Sequence, residues 1–144
     1  MRLIDTHAHL DFKDYNQDRK EVLNRAREAG VEKIVDIGAD LEGSKRAVKL
    51  AESQDNLFAT VGIHPHEADT VNKESLAEIK KLAASPKVKA IGECGLDFYY
   101  DNSPRQTQRE AFKKQLNLAL ELELPVVVHS REAAKETLEI LEQT

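Results

Sequence analysis

Asp5-Thr6-His7-Ala8-His9 follows the first short run of the chain, Arg2 to Thr6, and sets two imidazoles one residue apart at the end of what reads as a β-strand. In an extended strand alternate side chains share a face, so His7 and His9 can close on one cation at the ~2.0–2.1 Å of Zn–N bonds. Taken alone, the stretch also reads as two histidines on a polar strand end. The rest of the chain decides between the two.

Working outward, short apolar runs alternate with longer amphipathic ones and no linker interrupts them. Strands are expected at Arg2–Thr6, Lys33–Ile37, Leu57–Ile63, Val88–Glu93 and Pro125–His129. Helices are expected at Asn16–Ala29, Leu41–Ser53 and Lys73–Ala84, after Ser103-Pro104-Arg105-Gln106, and from Arg131 onward. The first helix presents Val22, Leu23, Ala26 and Ala29 on one face, and Gly30 supplies its left-handed stop. Ser103 is expected to cap the fourth helix with Pro104 in first position and Gln106 completing a capping box; Phe112, Leu116, Ala119 and Leu120 form its buried face. Repeated strand-then-helix units imply a parallel sheet with right-handed crossovers, whose strand C-termini share one edge. At or just after those ends stand His7, His9, Asp40, His64, His66, Glu93 and His129, and the five histidines of the chain are all among them. Imidazoles and carboxylates gathered on one edge read as a metal centre.

Composition bounds what carries it. The 144 residues suffice for one domain, expected to span 1–144, with 40% hydrophobic and 33% charged residues as in soluble globular proteins. No apolar run nears the ~18 residues of a membrane span, and no signal peptide precedes the first strand, so a cytoplasmic protein without membrane contact is expected. Cys94, the only cysteine, reads as a small packed residue. A net charge of −5 argues against broad electrostatic capture of duplex nucleic acid without excluding a local phosphate site.

Together with the opening stretch, Gly62-Ile63-His64-Pro65-His66, Ala90-Ile91-Gly92-Glu93-Cys94-Gly95-Leu96-Asp97-Phe98-Tyr99 and Leu124-Pro125-Val126-Val127-Val128-His129-Ser130-Arg131 resemble the TatD family of metal-dependent deoxyribonucleases. The resemblance implies an α/β fold of the TIM-type (β/α) barrel, a centre of two divalent ions and hydrolysis of phosphodiester bonds in DNA, commonly as trimming of single strands from 3′ ends. By the same resemblance His7, His9 and Glu93 hold the first metal, Glu93 bridges to a second, and His129 binds that second ion. A metal-bound hydroxide is then the expected nucleophile. Zinc, manganese and magnesium all suit such ligands to different degrees. A complete barrel has eight strands and typically ~250 residues; about five of the eight units are expected here, as the N-terminal part of a longer chain. The open sheet edges are expected to favour self-association.

The remaining candidates are read from position. His64 precedes a proline that holds it out of helical geometry, so it is expected to bind the scissile phosphate or protonate the leaving oxygen. His66 reads as a substrate contact or a plain loop residue, and Asp5 as orienting a ligand or capping a turn. Arg131, in the first turn of the last helix, is expected to take a phosphate with the free N–H groups there. Tyr99, with Tyr100, would stack bases of a single strand or pack under a loop. Lysines 80, 81, 87 and 89 read as a solvated face. Two further readings stay open: an amidohydrolase-like enzyme acting on a small ester, lactone or amide, and a catalytically incomplete half-barrel.

Overall fold

Five parallel strands, each followed by a helix, make up the computed structural model, which describes residues 2–144. They are β1 (Leu3–Ala8), α1 (Arg19–Glu28), β2 (Val31–Ile37), α2 (Leu41–Glu52), β3 (Leu57–Val61), α3 (Lys73–Ala83), β4 (Val88–Asp97), α4 (Arg105–Glu121), β5 (Val126–Arg131) and α5 (Ala134–Glu142). Short 3-10 segments at Lys13–Tyr15 and Pro65–Thr70 lie in the connections after β1 and β3. The strands pair in chain order, β1-β2-β3-β4-β5, so the sheet is a partial TIM-type barrel with β1 and β5 at its edges.

Local chemistry explains most boundaries. Gly30, at φ 93°, ends the connection out of α1 in the conformation L residues avoid. Asp40 caps α2 by accepting from the Gly43 N–H, and Asn72 and Ser75 form a reciprocal capping box on α3. The core lies between sheet and helices: Leu23, Ile34, Val48, Leu57, Val61, Ile79 and Ile91 form its larger part, and Leu96, Phe98, Phe112, Leu116 and Ile140 a second cluster under α4 and α5. Cys94 is fully buried in the second cluster, and burial pushes its thiol up to about 12, so it packs rather than reacts.

The structure corrects several expected boundaries. β4 does not stop at Glu93 but runs on to Asp97, because β5 pairs alongside it as far as Asp97 with Arg131. Arg131 therefore ends a strand, and α5 begins only at Ala134. Ser103 does not cap α4: Pro104 holds that place, the buried Ser103 hydroxyl donates to the His66 carbonyl, and Gln106 donates to Glu110. α1 starts at Arg19, not Asn16. Leu120 is 60% exposed beside Leu141, on the flank of α4 rather than against the sheet.

A buried carboxylate ties β1 to β2. Asp36 shares the helix-covered side with Ile34 and accepts from the N–H groups of Leu10 (2.6 Å) and Asp11 (3.2 Å), fixing the turn that follows His9. Its Oδ2 and the Oδ1 of Asp11 are buried without hydrogen-bond partners, while Asp11 Oδ2 takes Arg46 at 3.0 Å. Burial, and next the neighbouring Asp11 carboxylate, push the Asp36 carboxyl from 3.8 up to about 6. The folded form thus binds a proton that the unfolded chain has already lost, so the native state is penalised increasingly as pH rises from 3.8 to about 6. Asp36→Asn keeps the accepting oxygen and removes the charge. The variant should exceed wild type in stability by up to about 3 kcal/mol at neutral pH and converge on it at acid pH. Urea-denaturation midpoints of the two proteins across that range check this.

Candidate metal centre

The C-terminal ends of β3 and β4 are fastened from α4. Gln115, fully buried, accepts from the Ile63 N–H at 2.8 Å and donates to the Ile63 carbonyl at 2.9 Å. Two turns earlier on the same face, Gln108 does the same for Asp97, at 2.8 and 3.0 Å, and also donates to Ser103. The connection after β2 receives the next groups, the His64 N–H on the Ala39 carbonyl and the Glu93 N–H on that of Gly38. Gly95, at φ 143°, lets β5 lie so close that a Cβ there would collide with the His129 carbonyl oxygen. These constraints bring the strand ends together around one carboxylate.

Glu93, 8% exposed, turns its oxygens in two directions. Oε2 lies 3.5 Å from His7 Nε2 and 3.8 Å from His9 Nε2, and Oε1 lies 3.1 Å from His129 Nδ1. Among the described residues, His7, His9 and Glu93 form one group whose ligand atoms all fall within 4.8 Å of one another, and His64, Glu93 and His129 form another. His9 is already oriented: its Nδ1 donates to the Ile37 carbonyl at 3.0 Å, leaving the Nε2 lone pair toward Glu93. Burial opposes ionisation of Glu93, but the imidazoles of His129, His64 and His7 around it outweigh burial, so its carboxyl sits below the ordinary value. Imidazole nitrogens with open lone pairs around a two-sided anionic carboxylate are the donor set of a divalent cation.

The other histidines complete a network. His64 accepts the His66 N–H on Nδ1 at 3.2 Å and sets its Nε2 3.1 Å from His129 Nδ1; burial, then His129, bring it down to about 4, so it is neutral at neutral pH. His66 Nε2 and His129 Nε2 both meet Asp97 Oδ2, at 2.9 and 3.1 Å. A shallow pocket of about 250 Å³, lined by His9, Phe12, Asp40, His64, His66 and Glu93 among others, opens onto the group.

The family model described as "TatD related DNase" matches residues 4–144. The chain belongs to the TatD-related DNase family. It is 43% identical over 141 residues to the "Uncharacterized metal-dependent hydrolase YabD" of Bacillus subtilis, covering 98% of this chain and 55% of that one. It is 41% identical over 140 residues to the "3'-5' ssDNA/RNA exonuclease TatD" of Cronobacter sakazakii, covering 97% and 53%. Among solved structures it superposes on YjjV, a TatD homologue of Escherichia coli K12, with a TM-score of 0.91 at 35% identity, over 99% of this chain and 56% of that one. A TatD family hydrolase of Entamoeba histolytica gives 0.88 at 25% identity, over 99% and 54%. The chain thus spans about half the length of the TatD relatives it matches.

The structure brings His7, His9, Glu93, His64, His66 and His129 together at the strand ends. Asp5 accepts the His7 N–H from an exposed position within β1. Arg131 is not at a helix N-terminus. Its guanidinium lies 4.2 Å from the Tyr99 ring centroid and 4.6 Å from that of Tyr100, both more than half exposed, so the three form one cationic-aromatic surface. Asp97, Gln108 and Gln115 were not among the expected site residues. The one available signal is parity, since Asp97 follows Glu93 and Gly95 at alternate positions of one strand.

Gln115→Leu is close to isosteric and strips Ile63 of both its side-chain partners. The variant should lose about 3 kcal/mol of stability, from two buried backbone groups left unpaired; denaturant titration measures it, and a loss under about 1 kcal/mol would show that Gln115 is not the clamp.

Proposed function

We propose that the protein is a divalent-metal-dependent phosphodiesterase that shortens single-stranded DNA from its 3′ end, with Glu93 at the centre of a two-metal site. The observation that carries this reading is the two-sided placement of Glu93, with His7 and His9 at one oxygen and His129 at the other. The names of the exonuclease relatives support the substrate class. Zinc, manganese or magnesium held there would polarise the phosphodiester and supply a water acidic enough to attack at neutral pH.

The chain's own residues take the remaining parts. His7, His9 and Glu93 hold one ion, and Glu93 and His129 the other. His64, neutral and with Nε2 facing the centre, hydrogen-bonds the scissile phosphate or delivers a proton to the leaving oxygen. His66 is a weaker substrate contact, because its Nε2 is committed to Asp97. Tyr99 stacks a base and Arg131 offers charge to a phosphate from the adjoining surface. No helix among the described residues is long and apolar enough to cross a membrane, which accords with a cytoplasmic enzyme. The unpaired sides of β1 and β5 are where a second chain would add to the sheet.

The test pairs metal analysis with turnover. Elemental analysis after dialysis against divalent ions should give two ions per chain, and a 5′-labelled single strand should yield a ladder shortened from the 3′ end only when metal is present. Glu93→Gln should lower the rate by at least about 1,000-fold while leaving the fold intact. His64→Ala should cost more than His66→Ala. Metal-dependent turnover of small esters with indifference to oligonucleotides would overturn the substrate class; unchanged activity in Glu93→Gln would overturn the site.

A further inference from the structure

Asp97 is the most heavily hydrogen-bonded carboxylate of the site. Fully buried at the end of β4, it accepts on Oδ1 from the N–H groups of Tyr99 (3.0 Å) and Tyr100 (2.9 Å) and meets on Oδ2 the Nε2 atoms of His66 (2.9 Å) and His129 (3.1 Å). Backbone donors fix one oxygen, so the other has a fixed place. An ionised carboxylate only accepts, and a nitrogen facing it at this distance must carry the proton.

The opposite side of His129 leads to the same assignment. His64 Nδ1 accepts the His66 N–H, so a neutral His64 carries its proton on Nε2, 3.1 Å from His129 Nδ1. A proton on His64 Nε2 calls for a lone pair on His129 Nδ1. Glu93 Oε1 approaches that same nitrogen at 3.1 Å, and a lone pair facing a carboxylate oxygen leaves a place for a cation between them.

We propose that Asp97 is a positioning residue that fixes both His66 and His129 as Nε2–H tautomers, and so presents the Nδ1 lone pair of His129 to the metal centre. This deepens the metal-dependent reading above and rests on it for the role of the presented nitrogen. Asp97 touches neither substrate nor metal; it acts through the ring it holds.

The geometry makes an unusual demand on substitutions. In Asp97→Asn the N–H groups of Tyr99 and Tyr100 keep the amide oxygen at the Oδ1 position, so the NH2 group takes the Oδ2 position and faces both rings as a donor. Both rings must then accept on Nε2 and move their protons to Nδ1, where His129 can no longer offer a lone pair. Asp97→Ala imposes no such inversion. The nearly isosteric variant is therefore expected to damage the centre more than the truncated one.

Long-range nitrogen-proton correlation spectra of the uniformly 15N-labelled, metal-free chain, at a pH where both rings are neutral, should show protonated Nε2 on His66 and His129 in wild type. Asp97→Asn should show protonated Nδ1. Zinc affinity, measured by competition with a chromophoric chelator, should fall roughly 10- to 100-fold in Asp97→Asn and less in Asp97→Ala, while thermal melting should place Asp97→Asn nearer to wild type. A wild-type His129 protonated on Nδ1, or an Asp97→Asn variant with unchanged zinc affinity, would overturn the proposal. A merely structural Asp97 would reverse the order of the two variants, which also overturns it. If Asp97→Asn does not fold, the wild-type spectrum still decides the assignment. Failure of the wild-type chain to bind zinc would sink the metal-dependent reading, while the spectrum of the metal-free rings still tests the hold of Asp97 on them.

Discussion

A parallel strand that ends inside a protein leaves its last N–H and C=O groups without a ladder partner, and leaving such groups unpaired costs about 1–3 kcal/mol each. In this chain α4 meets that need at two strand ends with amide side chains, which donate and accept at once. Gln115 holds Ile63, the residue before His64, and Gln108 holds Asp97. The same bonds that satisfy the backbone therefore set the position of the histidines. Stability and site geometry share their contacts at this edge, so the centre sits on rigid elements rather than on a free loop.

Around Glu93 the charges are arranged against solvation. Two carboxylates, Glu93 and Asp97, are buried among imidazoles, and both are held below their ordinary range although burial alone would raise them. The imidazoles of His129, His64 and His7 outweigh the burial of Glu93; hydrogen bonds from Tyr100, His66, His129 and Tyr99 do so for Asp97. Asp36 is the contrasting case. It receives two backbone donors, but its second oxygen is orphaned and Asp11 lies nearby, so burial prevails and its carboxyl rises. The difference between the two aspartates is how many of their oxygens find a donor.

Periodicity alone places all five strands and the helices between them, because buried parallel strands are short apolar runs and each helix carries one apolar stripe. It also places every histidine on the functional edge. The length of β4 is not legible in this way: the apolar run ends at Glu93, whereas Gly92 and Gly95 permit close approach of β5 to a strand that continues to Asp97. Arg131 is misplaced for the same reason, since β5 extends only because β4 does. Gln108 and Gln115 look like solvent-facing amides on a charged helix, and nothing local marks the backbone groups they meet. Asp97 stands within a quoted motif, but its histidine partners come from 31 and 32 positions away, and only the folded sheet brings them to it.

The strand order has a consequence for how the chain acquires its shape. Each strand pairs with its immediate successor, so no pairing has to wait for a distant segment to arrive or be threaded between strands already joined. Loop-closure entropy is met in modest, similar instalments, one crossover at a time. During synthesis the sheet can lengthen in the order in which the polypeptide emerges, with each new helix covering the seam just formed. Until the fifth strand docks, however, His129 is absent and Glu93 has ligand partners only on one side. If a cation is held as proposed, its binding and completion of this sheet would be coupled, and an ion captured early would act as a template for the last strand's arrival.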